Sequence, residues 1–461
     1  MRQALRLMSA ALAVGILAAP GLARAQDVTI LVAQAGTPAE GAATRLANGK
    51  TVLAERKLFK AFDLAAAKLG ECKTCKVTIK VAGGTQVGKG GVGQWTFPEV
   101  ITPAATLHIL GGWDAKFARR APMTNPTVLV TSRPRSGPIV TFEGRKHALK
   151  ELVFSGFAID VAPGNNYDAE TNSLLKGTSS SYPMIAFGYL TTRRLVVADN
   201  VFMNAANAVG GPHIRAADEH SEVIVRNNLF LNNVFCWQAS GSTGKYTLER
   251  YVFDGNSFIL NFPYNPDATT SNPGALEIGN GETAKVVEIT GNLFAHNVGG
   301  AIFMQWDDKR GPPITIKGNL FWQNGALFAG KGDGKGAIVG KFNHSAVYGS
   351  YTPDEAADDF SWTISGNAVV DPDLTVPVLD MKAVSYGRKP PEKKEEPAGE
   401  VDFFGNSKSE ITMDADVAMD DFAVDGKIKN FAPRMPFNVE AFPLVKNAKA
   451  KRYGASPERV R

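Results

Sequence analysis

Gly291-Asn292-Leu293-Phe294 and Gly318-Asn319-Leu320-Phe321 are two copies of one short motif on which the whole fold depends. The motif occurs six times between residues 199 and 369, with a small or polar residue before the asparagine. Successive motif asparagines are 28, 28, 36, 27 and 48 residues apart, which defines a repeat of about 27 residues with two insertions. The other four copies are Asp199-Asn200-Val201-Phe202, Asn227-Asn228-Leu229-Phe230, Gly255-Asn256-Ser257-Phe258 and Gly366-Asn367-Ala368-Val369.

A second asparagine follows the motif asparagine by four or five positions in the first five copies. Asparagine tolerates left-handed backbone, and its amide bonds neighbouring amides, so it suits a tight corner. We therefore expect stacked corners to form an asparagine ladder, with the motif phenylalanines filling the interior. The second asparagines are Asn204, Asn232, Asn261, Asn297 and Asn324.

Short β-rich runs flank each motif. Several runs alternate apolar and polar residues, which is typical of half-buried strands. One repeat cannot bury its apolar face alone, so the repeats must stack. A helical solenoid would need heptad-like apolar spacing and good helix formers, and the repeats have neither. The runs before the motifs are 195–197, 223–225, 248–253, 286–289, 314–316 and 362–364, and those after them are 210–215, 234–238, 274–278, 300–304 and 336–339.

The residues before the repeats strengthen a resemblance to a known fold. Leu58 to Leu69 predicts an amphipathic helix, and Val77 to Thr85 predicts a strand and turn. Three further blocks follow at 107–120, 125–129 and 152–159. Together with the G-N-x-F-x-x-N corner, these blocks resemble secreted bacterial repeat proteins of the pectate-lyase-like superfamily, although Gln86 stands where a tyrosine is usual. The resemblance covers about residues 50–372.

The resemblance implies an all-β, right-handed parallel β-helix with a short N-terminal capping helix and an irregular C-terminal tail. We therefore expect four parts along the chain. They are a signal peptide at 1–25, an N-terminal segment with the capping helix at 26–80, the coils at 81–372, and a linker and tail at 373–461.

The first 25 residues predict export from the cytoplasm. Arg2 and Arg6 precede an apolar stretch from about Leu7 to Ala19, and Ala23-Arg24-Ala25 is typical of a cleavage site. A membrane anchor would need about 20 clean apolar residues, and this stretch is shorter. No later segment is apolar enough to span a bilayer. The expected location is therefore the periplasm or the outside of the cell.

Composition excludes several classes of protein. The chain has 461 residues, of which 44% are hydrophobic and 21% charged, so it can bury a core. Its net charge of +5 gives no support for a nucleic-acid partner. Three cysteines are too few for a disulfide framework. Nothing in the sequence sets the oligomeric state.

Cys72 and Cys75 form a C-x-x-C pair. A haem-attachment motif would need histidine where Lys76 stands, and a zinc site would need a second ligand pair. In an oxidising compartment a structural disulfide is the leading interpretation, while two free thiols or a redox pair are the alternatives. The pair also leaves open a maturation or metal-handling role in the periplasm.

Proteins of this superfamily bind extended polymers along one parallel sheet. The resemblance therefore implies a polysaccharide or cell-envelope glycan as partner. Outward side chains on the strands after the corner are the candidate contacts, although a slip of one residue would turn every side chain to the other face. The candidates are His213, Arg215, Trp237, Gln238, Glu277, Gln305, Trp306 and Lys341.

These residue types suit β-elimination on a uronate chain, which needs a cation on the carboxylate, a base for the C5 proton and an acid for the leaving oxygen. The predicted catalytic residues are Arg215 as the cation, with His213 or Lys341 moving the proton. The predicted substrate-binding residues are Trp237, Gln238, Glu277, Gln305 and Trp306, the tryptophans by stacking on sugar rings.

Other interpretations stay open at these positions. Hydrolysis would instead need two carboxylates, such as Glu277 with Asp307 or Asp308. Trp237 also fits the core, and His213 also fits a turn. The motifs of pectate lyases and polygalacturonases, such as W-x-D-H and G-H-G, are absent, so no family's catalytic residues are carried over.

The leading hypothesis is a polysaccharide-binding protein with uronate lyase or C5-epimerase activity. The alternative is a non-catalytic carbohydrate-binding or structural scaffold of the cell envelope. The tail is predicted to be a solvated linker at 389–397, followed by an irregular or covering segment. If the chain binds calcium, the acidic run at 414–425 is the candidate site. This run lacks the spacing of an EF-hand loop, and a solvated loop is the favoured interpretation.

Overall fold

The structure is a computed structural model, and its description covers most of the repeat region. The described residues are 26–88, 94–130, 138–142, 146–160, 184–203, 214–231, 236–239, 244–259, 275–279, 284–295, 301–304, 312–322, 362–374 and 444–460, with single residues and short strands between them. The predicted signal peptide and the linker at 389–397 lie outside these residues.

The largest sheet has twelve strands, and all of its strand pairs are parallel. We call it the long sheet. From the Thr191–Ala198 strand onward each repeat adds one strand, so neighbouring strands are one repeat apart in the sequence. Arg215–Ala216 pairs with Thr191–Ala198 outside this path. In spatial order the path runs Val52–Glu55, Val28–Val32, Lys76–Ala82, Ile101–Trp113, Ala148–Ser155, Thr191–Ala198, Glu222–Arg226, Arg250–Asp254, Val287–Thr290, Ile314–Lys317 and Thr363–Ser365.

A second parallel sheet follows directly after the motif corner, and we call it the corner sheet. It has nine strands. Its strands are short because another turn follows after only three residues in most repeats. In chain order they are Gly84–Val87, Thr127–Val130, Phe157–Asp160, Val201–Met203, Leu229–Leu231, Ser257–Ile259, Leu293–Ala295, Leu320–Trp322 and Ala368–Val369.

A third side is built from two shorter sheets. Trp95–Phe97, Val140–Phe142 and Ile185–Ala186 are parallel and belong to the N-terminal repeats. The other sheet, which we call the third sheet, pairs its first four strands in parallel and its last in antiparallel. Its strands are Trp237–Ala239, Leu276–Ile278, Ile302–Met304, Ile338–Val339 and Ser350–Tyr351.

The remaining strands are small antiparallel additions. One sheet joins Tyr167–Asp168, Ser173–Leu175, Lys427–Lys429 and Ala423–Val424, and one pair joins Phe342–Asn343 to Ala346–Val347. The protein is therefore a mostly parallel all-β structure of stacked sheets, an arrangement compatible with the predicted parallel β-helix.

Two asparagine ladders hold the corners together. Each motif asparagine donates its side-chain and backbone N–H groups to the side-chain oxygen of the next, as Asn256 does to Asn292 at 3.0 and 2.8 Å. Each side-chain amide also donates to a backbone carbonyl, such as Asn292 to Phe253 at 2.9 Å. The predicted ladder is confirmed through its full length, from Asn200 to Asn367.

The second ladder corrects the sequence prediction at one position. It is formed by Asn233, Asn261, Asn297 and Asn324, always five residues after the motif asparagine. The sequence analysis chose Asn232, which is one residue too early. Asn204 lies outside the described residues.

The motif phenylalanines stack inside the molecule as predicted. The rings of Phe230, Phe258 and Phe294 lie 4.8 and 4.9 Å apart and are nearly parallel. Phe202 and Phe321 extend the stack at either end. These rings belong to one core cluster that also receives apolar side chains of the long sheet and the third sheet.

The predicted N-terminal helix is present at Leu58–Cys72, three residues longer than predicted. Its buried residues recur at helical spacing and include Phe62, whose ring meets Phe97 edge-on at 5.4 Å. The helix therefore packs against the same core cluster as the first coils. An additional helix, Pro38–Leu46, was not predicted, and it begins after the capping residue Thr37.

The basic end of the chain, 444–460, packs across the corners of the repeats and ends in a 3-10 turn at Pro457–Arg459. We call this segment the C-terminal strap. Lys446 donates its backbone N–H to Asp373 at 3.0 Å, beside the last coil. Farther along, Gly454 donates to the Gly291 carbonyl at 2.9 Å, and Ser456 donates to the Asn227 side chain at 2.8 Å. Of the alternatives for the tail, this part is therefore a covering segment.

Candidate functional site

The third sheet contains most of the strands on which the sequence analysis placed its candidate residues. Gln238 lies beside Glu277, and Glu277 lies beside Phe303, in one register across three strands. Leu276 and Ile278 belong to the core cluster, so Glu277 between them points away from the core. Of the predicted outward residues, Gln238 and Glu277 therefore stand side by side on this sheet.

Trp237 does not point outward, and the prediction that it stacks on a sugar ring does not fit its position. The side chain is 0% exposed and lies in the core cluster. Its Nε1–H donates to the Tyr251 hydroxyl at 2.6 Å, and its ring meets Tyr251 and Phe253 edge-on. The alternative that Trp237 belongs to the core is therefore correct. One residue decides the face of a strand, and the outward position is Gln238.

Cys236 is buried next to this tryptophan in the chain and forms no disulfide. Burial raises the pKa of its thiol well above the usual value. A thiol held neutral in this way is a packing residue, not a nucleophile.

The Gln238–Glu277 pair is the main polar contact of the third sheet. Gln238 donates its Nε2–H to Glu277 Oε1 at 2.7 Å. Within the described part of the chain, the other carboxyl oxygen has no hydrogen-bond partner, although the side chain is 0% exposed. Burial raises the pKa of Glu277 to about 8, against the opposing effect of the Gln238 hydrogen bond. Glu277 therefore carries a proton at neutral pH and can donate it.

Arg215 lies elsewhere and does not align with these residues. The residue that pairs with Trp237 is Val209, and not one of residues 213–215. Arg215 pairs instead with Thr191, which belongs to the long sheet. The Arg215 guanidinium lies over the Tyr189 ring, 4.9 Å from its centre. Its buried Nε has no hydrogen-bond partner among the described residues. Of the predicted strand at 210–215, the described residue Arg215 therefore pairs with the long sheet and not with the third sheet.

Four predicted site residues lie outside the described residues. They are His213, Gln305, Trp306 and Lys341. Their proposed roles, and that of Asp307 or Asp308 in hydrolysis, stay predictions.

The C-x-x-C pair is joined as the leading interpretation expected. Cys72 ends the Leu58–Cys72 helix, and a disulfide links it to Cys75 with the Cα atoms 5.6 Å apart. Cys75 is buried in the core cluster, so the bridge fixes the helix end against the first coils.

A second polar site on the long sheet was not identified from the sequence. Glu151, Arg194, Glu222 and Arg250 stand in register on four consecutive strands. We call these four residues the charged row. Arg194 joins Glu151 at 3.1 Å and Glu222 at 2.9 Å, and Arg250 joins Glu222 at 2.8 Å. Positions 28 or 43 residues apart in the chain give no local signal of such pairing.

The ends of the charged row are also paired. His108 lies 2.5 Å from Glu151 at one end, and Glu288 lies 3.9 Å from Arg250 at the other. The hydrogen bonds from His108 and Arg194 lower the pKa of Glu151 to about 2. Glu151 is therefore ionised throughout the physiological range.

The charged row lies in a groove of about 510 Å³. The groove is open on the outer side of the long sheet and is also lined by Lys150, Arg193, His220 and Glu249. All eight lining side chains are charged or ionisable. This groove differs from the Gln238–Glu277 pair both in its sheet and in its chemistry.

No cluster of three or more histidine, cysteine, aspartate or glutamate side chains suits a metal ion within the described ranges. No helix among those ranges is both long and apolar enough to cross a membrane. Most of the acidic run at 414–425 is not described, so the calcium hypothesis for it stays untested.

Comparison with known proteins gives no assignment, since no protein-family model, curated protein or solved structure matches the chain.

Proposed function

We propose that this chain is a right-handed parallel β-helix protein of the pectate-lyase-like superfamily that engages an acidic polysaccharide on the third sheet. The stacked parallel sheets and the asparagine ladders support the fold assignment. A polysaccharide is proposed as the ligand because proteins of this superfamily hold extended sugar chains on such sheets. The chemistry is β-elimination or C5 epimerisation of uronate residues.

The observation that carries this proposal is the Gln238–Glu277 pair. A buried carboxylic acid with a pKa of about 8 and a free oxygen is a proton donor at neutral pH. In β-elimination a base removes the C5 proton, the C4–O bond breaks, and a double bond forms between C4 and C5. Glu277 protonates the leaving oxygen, while Gln238 orients its carboxyl group.

The remaining roles come from the sequence analysis. His213 or Lys341 removes the C5 proton, whereas Arg215, which pairs with the long sheet, is not assigned a role beside Glu277. Epimerisation uses the same proton removal and returns a proton to the opposite face of C5, without breaking the C4–O bond. Because Glu277 is 0% exposed, the polymer has to displace whatever covers this carboxyl group before the reaction.

The protein works outside the cytoplasm in this proposal. The predicted signal peptide directs it to the periplasm or the medium, where the Cys72–Cys75 disulfide is stable. The substrate would then be a glycan of the cell envelope or of the surroundings.

The test is an assay of the full chain without its leader on a panel of polyuronates. Ultraviolet absorbance detects unsaturated products, and NMR of the polymer detects epimerised residues. We expect Glu277→Gln to lower turnover by at least about a hundredfold, the usual effect of losing a general acid. Glu71→Gln is the matched control, since Glu71 is an exposed glutamate on the Leu58–Cys72 helix.

Two results would contradict the catalytic proposal. One is a parent protein that changes none of the polymers. The other is a Glu277→Gln variant that retains parental turnover while it unfolds at the parental temperature. His213→Ala separately tests the role in proton removal that is taken from the sequence.

The non-catalytic scaffold is the second candidate, and the position of Trp237 favours it. With this ring in the core, Trp237 is not available to stack on a sugar. A scaffold would bind glycan without changing it. Retention on an immobilised polymer, with no change in ultraviolet absorbance or polymer composition, would select this candidate.

A further inference from the structure

The charged row offers hydrogen-bonding groups without a strong net charge. Both carboxylate oxygens of Glu222 accept N–H groups, one from Arg194 and the other from Arg250. The glutamates of the row are 18 to 20% exposed, whereas the two arginines are 41 and 44% exposed. A ligand in the groove therefore meets mainly the guanidinium edges, with carboxylates between them.

The groove also holds cations that the row does not neutralise. The Lys150 ammonium makes no hydrogen bond or ion pair within the described residues. Arg193 pairs with Asp218, which lies outside the row, at 3.6 Å, and both of these side chains are about half exposed. Across the whole lining, four lysine and arginine side chains face three glutamates. This small excess is too weak to hold a polyanion by charge alone.

Three ligand classes can be compared with this lining. An apolar ligand would remove water from eight charged or ionisable side chains and give them no new hydrogen bond in return. A polyanion would meet glutamates at every second position of the row. A hydroxyl group fits both kinds of neighbour, because it donates to a carboxylate and accepts from a guanidinium. The strand spacing of about 4.8 Å repeats this pairing along the groove.

We propose that the groove on the long sheet binds a neutral, hydroxyl-rich oligosaccharide edge-on. Recognition uses hydrogen bonds from the charged row and from Lys150, without stacking on tryptophan, tyrosine or phenylalanine, none of which is among the described residues that line the groove. The site lies on a different sheet from Gln238 and Glu277, so it does not depend on the function proposed above. It gives the protein a second carbohydrate contact of a different chemical class.

The experiment is calorimetric titration of the full chain without its leader. The probes are neutral oligosaccharides from cellulose, xylan and mannan, with oligouronates as the charged comparison, each at low and high salt. We expect a neutral oligosaccharide to bind with an affinity that changes little with salt, because the ligand carries no charge to screen.

Arg250→Gln and Lys150→Gln test the two kinds of cation in the groove. Each should weaken binding by about tenfold, the effect of losing one hydrogen bond to a charged group. Lys317→Gln is the matched control, because Lys317 is an exposed cation of the same sheet outside the groove. If Arg250→Gln fails to fold, Lys150→Gln still tests the proposal, since the Lys150 side chain makes no hydrogen bond or ion pair within the described residues.

Three results would overturn the proposal. They are the absence of binding by every neutral oligosaccharide, binding of oligouronates alone with steep salt dependence, and equal affinities for Lys150→Gln and Lys317→Gln. Turnover of polyuronates is measured separately. A protein without turnover could still bind a neutral oligosaccharide in the groove, and a protein that does not bind one could still turn over polyuronates, so each proposal can fail on its own.

Discussion

At the scale of single residues, Glu277 shows how a position determines protonation. Its neighbours Leu276 and Ile278 anchor the strand in the core, and burial removes the water that would stabilise a carboxylate. The pKa rises to about 8 from an ordinary value of 4.5. Between about pH 4.5 and about pH 8, Glu277 keeps its proton in the folded protein but loses it in the unfolded chain.

This difference predicts a pH dependence of stability. The contribution of Glu277 is fully present below its ordinary pKa and is lost as the pH rises toward about 8. Glu277→Gln keeps the shape of the side chain but replaces its ionisable carboxyl group with an amide. We expect the variant's unfolding temperature to fall less than the parent's between about pH 5 and about pH 8. Thermal unfolding followed by circular dichroism measures this, with Glu71→Gln as the control that keeps the parental slope. A parental slope in Glu277→Gln would contradict the prediction.

Prediction from sequence was least reliable at this scale. A strand was predicted at 234–238 and lies at Trp237–Ala239, but the direction of Trp237 depends on a register that one residue reverses. The same limit explains the choice of Asn232 over Asn233, because two adjacent asparagines are equally suitable until the corner geometry is known. The ion pairs of the charged row join residues from different repeats, and no local pattern marks them.

At the scale of elements, the corner explains the motif. The residue before each ladder asparagine has left-handed backbone, with φ from 53° to 63° in all six copies. Glycine adopts this conformation without cost, and Asp199 and Asn227 are among the residues that tolerate it best. The sequence analysis gave tolerance of left-handed backbone as a reason for the motif asparagine, but in the structure the left-handed residue is the one before it. The spacing of the motif was enough to predict the strands of the long sheet and the corner sheet on either side of each corner.

The ladder predicts a position-dependent loss of stability. Asn292→Ala removes the acceptor of two Asn256 N–H groups and the partner of the Phe253 carbonyl, all of them buried. Each buried donor left unpaired costs about 1 to 3 kcal/mol, so we expect the free energy of unfolding to fall by about 3 kcal/mol or more. Denaturant titration measures the loss.

Asn367→Ala is the control for this prediction. Asn367 is the last ladder residue and is half-buried, so water reaches the groups that it would leave unpaired. Its loss should be clearly smaller. Equal losses for the two variants would mean that the ladder asparagines act through local corner geometry and not through the stacked amides.

At the scale of the whole molecule, the C-terminal strap links repeats that are far apart in the chain. It bonds beside the last coil at Asp373 and again at Gly291, Ser257 and Asn227, so it crosses several corners. Its own sequence carries neither the repeat nor a strand alternation. From the sequence, a covering segment was therefore only one of two alternatives for the tail. The contacts of the strap join residues up to 229 positions apart, and no local pattern marks them.

Gly454 is the point where the strap lies closest to the corners, and it provides the test of this link. Its φ is 78°, and a Cβ atom there would collide with Ser257 Oγ and lie 2.8 Å from Leu293 Cβ. Gly49→Ala is the matched control, since Gly49 has a φ of 71° but no atom within 4 Å of the added carbon. Both variants carry the strain of left-handed backbone, about 1 to 2 kcal/mol, but only Gly454→Ala also pushes the strap away. We therefore expect Gly454→Ala to lower the unfolding temperature more and to speed proteolysis after residue 443, whereas equal effects would show that the strap does not stabilise the stacked repeats.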